Sequence, residues 1–384
     1  MRRLTNVRLP KPICNCEGDL WWVLLDEHDT LLAINPMEHG SAIAGESWGG
    51  DWLSPMGIDL QMNGGLGLAF PEITFDDLPK LFDLLDRLWV DGVEAICPTF
   101  ITCDLPSLHM GLSVLREARK NPSSQRCKLL GAHLEGPFLS KNRKGAHNPE
   151  HLCLPNLSKL DQLIGGIETE IGLFTLAPEL NGSLDVIKRL NYFNIVVCLG
   201  HSSANADESN SSFANGVRML THAFNAMPGL QHRSPGPIGA ALNDGDIAIG
   251  LIADGVHVHP NVAALLQRLA ANQLVLVSDA IAPYGLEDGR YIWDKRSVRS
   301  ENGSCWLEDG TLAGSTLSLL DACKNLSLWN GNPTSAIWSA TIAPRLVLDK
   351  EQTIDNYLLG RPLNQLLRWT MSSNSDELSW HQAV

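Results

Sequence analysis

The chain has 384 residues, 44% of them apolar and 19% charged, and a formal net charge of −14 at pH 7. That acidity argues against nucleic acid and anionic membrane surfaces as partners, so an anionic substrate would need a local basic pocket. The length exceeds a usual single domain but suits an α/β barrel of about 250 residues with an appendage, a core large enough to need no disulfide staples.

Residues 1 to about 53 hold short apolar runs, such as Leu20-Trp21-Trp22-Val23-Leu24-Leu25, broken by Gly, Pro and Asp; they predict two or three strands of a small β unit. From Gly57 onward strand-like runs alternate with helical patterns. The runs are 57–61, 94–98, 129–135, 171–177, 195–201, 218–222, 247–253 and 274–279, the count of a (β/α)8 TIM-like barrel. Leu78, Leu81, Phe82, Leu85, Leu88 and Trp89 recur at helical spacing and predict a helix over 76–91, stopped by Gly92. Helices over 104–119, opened by Asp104, and over 260–272 follow. Ser315 is expected to cap a helix carrying Leu319, Leu320, Cys323 and Leu326. Beyond about 346 the periodicity fades, and the chain is expected to rejoin the N-terminal unit.

Nine cysteines, odd in number and scattered, point to a reducing cytoplasm rather than a disulfide framework; Cys14-Asn15-Cys16 is too tight for a zinc ribbon. No window reaches the roughly 18 apolar residues of a membrane span.

The chemistry sits where the runs end. His133-Leu134-Glu135-Gly136-Pro137-Phe138 closes one run on Glu135, and others close on His201, His222 and Asp279. Barrel enzymes draw their active sites from such strand ends. Two imidazoles and a carboxylate are a recipe for a catalytic divalent ion with an open position. Such an ion brings the ionisation of water near pH 7, and Asp279 could take up the proton and pass it to a leaving nitrogen. Each residue alone reads more readily as a hydrogen-bonded structural histidine or as a capping or surface acid; four in one register carry the metal reading. Arg233, on the Pro/Gly loop Gln231–Pro237, suits bidentate phosphate binding, although a solvated loop arginine is the plain alternative. Lys141, Arg143 and Lys144 read as ordinary exposed charges. His28, His39, His109, His151 and His381 read as structural or surface residues, and His259 as a loop histidine.

These stretches resemble the N-acetylglucosamine-6-phosphate deacetylases of the amidohydrolase superfamily. The likeness runs from about 54 to 320. It begins with Gly57-Ile58-Asp59-Leu60-Gln61-Met62-Asn63-Gly64-Gly65, HLEGPF, Lys144-Gly145-Ala146-His147 and Leu199-Gly200-His201-Ser202. It continues through Thr221-His222-Ala223-Phe224-Asn225-Ala226-Met227, Ala253–His257, Ser278-Asp279-Ala280 and Leu312–Ser315. The resemblance implies a metal-dependent barrel over 54–335 and a small β-sandwich built from 1–53 and 336–384. It implies metal ligands Glu135, His201 and His222, the catalytic aspartate Asp279, and substrate contacts at His147, Asn225, Ala226 (through its backbone) and His257. Arg233 would reach the phosphate in the neighbouring subunit of a homodimer. Where many superfamily members carry His-x-His, this chain has Gln61-Met62-Asn63. Amides are poor zinc ligands, so one divalent ion is expected, zinc first, with iron, manganese or cobalt as alternatives.

The expected reaction is hydrolysis of the acetamide of N-acetylglucosamine 6-phosphate to glucosamine 6-phosphate and acetate. Alternatives are an amidohydrolase acting on another N-acyl amine or a cyclic amide, and a non-catalytic sugar-phosphate-binding barrel. Two motifs depart from the family pattern. Pro55-Met56-Gly57-Ile58-Asp59 replaces the usual Pro-Gly-Phe-Ile-Asp, and the usual C-terminal glycine-rich segment gives way to Tyr357–Pro362 and a tryptophan-containing tail.

Overall fold

Apolar runs buried on both faces make parallel strands, and eight of them form the centre of the molecule. In the computed structural model they are β1 (Gly57–Met62), β2 (Val93–Ile101), β3 (Ala132–Glu135), β4 (Ile171–Leu176), β5 (Val196–Leu199), β6 (Val217–Leu220), β7 (Ala248–Leu251) and β8 (Leu274–Leu276). The structure describes residues 1–11, 19–38, 43–349, 352–372 and 376–384; Cys14, Cys16 and His39 lie outside them. Each strand pairs in parallel with the next, from β1 to β8. The ring closes just past β8, where Asp279 N donates to Gln61 O (2.9 Å) and Asn63 N to Ala280 O (2.7 Å).

Side chains alternate between two layers, as the two-residue strand period requires. On β5, Val197 and Leu199 join the cluster that includes the helix residues Leu81, Leu84, Leu112 and Leu115. Val196 and Cys198 join Leu60, Cys97, Leu173, Met219 and Val277 in a second cluster, which fills the barrel interior. The expected helices form at Leu78–Val90, Leu105–Ala118 and Pro260–Leu269. Asp104 caps the second, its carboxylate accepting from Ser107 N at 2.8 Å.

Ser315 is not a cap. It ends a four-stranded antiparallel sheet, β9 (Gly289–Trp293), β10 (Arg296–Glu301), β11 (Ser304–Leu307) and β12 (Leu312–Ser315), inserted after β8. The helix Leu319–Asn330 starts four residues later and is capped by Ser318, whose hydroxyl accepts from Asp321 N.

Two further antiparallel sheets form the β-sandwich. One holds Arg2–Val7, Trp21–Leu25, Leu31–Pro36 and Glu46–Ser47; the other holds Trp52–Pro55, Leu366–Met371 and Leu378–Gln382. They share a core of Leu4, Val23, Leu25, Trp48, Leu53, Leu358 and Leu366, so the chain's end does return to its start. Pro333–Thr341 and Ala343–Leu348 are helices packed on β1 and β8. Below them the buried Glu94, at the start of β2, takes ion pairs from Arg345, Arg361 and Lys128. Among the described residues no helix is long and apolar enough to cross a membrane.

A candidate metal centre at the strand ends

Glu135 ends β3, and His201, His222 and Asp279 follow β5, β6 and β8 within two or three residues. The backbone turns sharply at three of these positions, with φ of +46° at His201, +27° at His222 and +49° at Asp279. Left-handed backbone is costly for a residue with a Cβ, and it is tolerated here where the chain swings the side chain over the barrel mouth. Gly136 permits the corresponding turn after Glu135. Its φ is +94°, and a Cβ there would lie 2.2 Å from Thr102 Oγ1, the hydroxyl that donates to Glu135 O.

Three donor atoms converge. His222 Nε2 lies 3.0 Å from Glu135 Oε1 and 3.1 Å from His201 Nε2, and His201 Nε2 lies 3.2 Å from the same Oε1. A tetrahedron with arms of about 2.0–2.1 Å has edges of about 3.3–3.4 Å, so these spacings match the ligands of one small ion. The hydrogen bonds settle the tautomer of His201. Its Nδ1 faces Arg143 O at 2.8 Å, and a carbonyl only accepts; Nδ1 therefore carries a hydrogen, and in the neutral ring Nε2 presents a lone pair. A lone pair on His201 facing the lone pairs of Glu135 at 3.2 Å calls for a cation between them. All three side chains are buried.

Glu135, His147 and His201 also bring one donor atom each within 4.8 Å of one another. His147 is further held by Thr102. Its Nδ1 lies 3.3 Å from Thr102 N, which donates to it, and 3.0 Å from Thr102 Oγ1, and its Nε2 stands 3.7 Å from Glu135 Oε2. Burial and the neighbouring His201 push the His147 pKa down to about 4, so the ring is neutral at pH 7. Burial alone would raise the Glu135 carboxyl, but the imidazoles of His147, His201 and His222 around it hold it well below the usual range. Burial, and then the charge of Glu135, push Asp279 up to about 7.

These residues line a cavity of about 310 Å³. His147, Asn225, Ala226 and His257 line it too. His257 Nδ1 donates to the buried carboxylate of Asp254 at 2.6 Å, which leaves Nε2 free. The Asn225 backbone N–H donates to His222 O at 3.1 Å, and its side-chain Nδ2 donates to His222 O and Ala223 O. The Ala226 N–H finds no acceptor among the described residues. Arg233 stands on an exposed loop and is not part of the cavity wall.

Sequence reasoning missed several wall residues. Arg143, read as an exposed charge, is half-buried in the wall and has no carboxylate partner among the described residues. Trp293, Leu312 and Ala313 come from the inserted sheet, which Arg296 ties to the His147 loop by donating to Ala146 O at 2.6 Å. His133, the first residue of HLEGPF, is not a ligand. Its Nδ1 donates to Leu60 O (3.0 Å) and its Nε2 faces Thr175 Oγ1 (2.7 Å), and burial lowers its pKa.

An eight-stranded parallel barrel with a buried Glu/His/His cluster at its strand ends, joined to a β-sandwich, defines an amidohydrolase-type fold, and the cluster is a candidate divalent-metal site. No family model matches the chain. It is 36% identical over 371 residues to the N-acetylgalactosamine-6-phosphate deacetylase of Escherichia coli O157:H7, covering 93% of each chain. It is 32% identical over 343 residues to the N-acetylglucosamine-6-phosphate deacetylase of Vibrio furnissii, covering 88% of this chain and 84% of that one. The crystal structure of the N-acetylglucosamine-6-phosphate deacetylase from Thermotoga maritima superposes with a TM-score of 0.78 at 28% identity, covering 99% of this chain and 98% of that one. The chain belongs to the N-acetylglucosamine-6-phosphate deacetylase family.

Proposed function

We propose that the protein hydrolyses the acetamide of N-acetylglucosamine 6-phosphate, releasing glucosamine 6-phosphate and acetate. The observation that carries this reading is the convergence of Glu135 Oε1, His201 Nε2 and His222 Nε2 to within 3.2 Å of one another beneath Asp279. A divalent ion, zinc first, would be held by those three residues and would supply an acidified water and a polarised carbonyl.

Asp279 then accepts the water proton as the water oxygen bonds to the acetyl carbon. It delivers that proton to the nitrogen as the C–N bond breaks, leaving acetate and a free amine. The Nε2–H of His147 is placed to donate to the carbonyl oxygen as negative charge builds on it. His257, the Ala226 N–H and the unpaired Arg143 supply polar contacts for the sugar phosphate. Arg233, exposed and without an ion-pair partner among the described residues, fits a role across a homodimer interface, reaching the neighbouring cavity. The seven described cysteines are all free, which favours a reducing cytoplasm.

The 36% identity to a relative named for the galactosamine substrate supports a second reading, the C4 epimer N-acetylgalactosamine 6-phosphate. Acetate release from both phosphates, before and after chelation, tests both readings. Absence of release from either substrate by the metal-loaded protein would refute them.

A further inference from the structure

Gln61 and Asn63, at the tip of β1, are 1% and 2% exposed. Gln61 Nε2 lies 3.1 Å from Glu135 Oε1 and 3.2 Å from Asp279 Oδ1, and Asn63 Nδ2 lies 2.7 Å from the same Oδ1. An amide nitrogen can only donate and a carboxylate oxygen can only accept, so the polarity of all three contacts is set. The flipped amides would press oxygen against oxygen. The orientation present has its own cost, because Gln61 Oε1 and Asn63 Oδ1 are left buried without a partner. The fold accepts two orphaned carbonyls in order to aim three N–H groups at two carboxylates.

The backbone makes this arrangement rigid. The bonds from Asp279 N to Gln61 O and from Asn63 N to Ala280 O clamp the tip of β1 to the turn that carries Asp279. Gln61 therefore spans the metal-binding carboxylate and the proton-carrying one without placing a charge between them. A cation there would draw the proton affinity out of Asp279, whereas a neutral amide separates the two acids and leaves one of them basic.

We infer that Gln61 and Asn63 are positioning residues for Asp279: they saturate its Oδ1 with N–H donors, so that Oδ2 alone receives and delivers the proton. This rests on the proposed deacetylation, in which Asp279 carries the proton.

Gln61→Met and Asn63→Leu remove the N–H groups at similar volume. In the zinc-loaded protein each should lower kcat at least tenfold while KM for the amino-sugar phosphate stays within about twofold and zinc per chain is unchanged. Should Asn63→Leu fail to fold, Asn63→Ala reads the same quantity. Unchanged kcat overturns the inference. So does loss of zinc in step with kcat, because the amides would then serve the metal ligands, and so does a rise in KM alone. Wild-type protein inactive on both amino-sugar phosphates overturns the proposed function and this inference together; active wild type with active variants overturns the inference only.

Discussion

Replacing Glu94 with Gln probes the ion cluster at the start of β2, far from the strand ends that hold the site. Glu94 Oε2 lies 2.5 Å from Arg345 Nη2 and 2.7 Å from Arg361 Nη1, with Lys128 Nζ 3.3 Å from Oε1. Burial works against the ionised carboxylate, but the charges of Arg345 and Arg361 outweigh it and lower its pKa from 4.5 to about 2. At about 1.36 kcal/mol for each tenfold change in acidity, that difference corresponds to about 3.4 kcal/mol. The partner pulls the other way, since burial depresses the Arg345 guanidinium despite Glu94. A guanidinium stays charged throughout the accessible pH range, so the carboxylate sets the pH dependence. Because the folded pKa is the lower one, the stabilisation is fully present above 4.5 and disappears as pH falls toward 2. Glu94→Gln should therefore cost about 3–4 kcal/mol at neutral pH, within the range for a buried pair that loses one partner. With an unfolding entropy of about 2.1 cal/mol/K per residue over 384 residues, Tm should fall by about 4 °C. Calorimetry of both proteins from about pH 7 down to pH 3 checks this, with the gap narrowing on the acid side and kcat unaffected. A loss under about 1 °C at neutral pH, or one that does not shrink in acid, would refute the reasoning.

Four other outcomes follow from the site. Asp279→Asn should cut kcat by about 10²–10⁴ while the protein keeps its metal, measured by acetate release alongside elemental analysis. Chelation should abolish turnover and added zinc restore it, and Glu135→Gln should bind metal so weakly that zinc no longer raises its Tm. His147→Asn should lower kcat about 10²–10³-fold, in keeping with loss of one oxyanion donor, and a change confined to KM would remove that role. If Arg233 serves the neighbouring cavity, co-expressed Arg233→Ala and Asp279→Asn chains should recover activity that neither has alone, because one site of each mixed dimer is intact.

Much of the barrel was legible because buried parallel strands read as unbroken apolar runs, and their ends are where chemistry-bearing residues become conspicuous. Glu135, His201, His222 and Asp279 were found that way. The inserted sheet was not, because strands such as Arg296–Glu301 bury only alternate residues and carry charge on the others. Without those strands, Ser315 looked like a helix cap. Arg143 sits between Lys141 and Lys144 in a stretch that resembles a solvated loop; only the fold turns its carbonyl toward His201. The bonds from Gln61 and Asn63 to Asp279 cross more than 200 positions, and no local pattern announces them.

The left-handed backbone at His201, His222 and Asp279 bears on how the protein could be engineered. Each of these side chains holds its residue in a conformation that glycine would adopt freely, at a strain on the order of 1–2 kcal/mol. Directed evolution toward heat resistance in the metal-free protein would find relief at these three positions, whereas a screen run with the ion present would set that relief against the loss of the ion's own stabilisation.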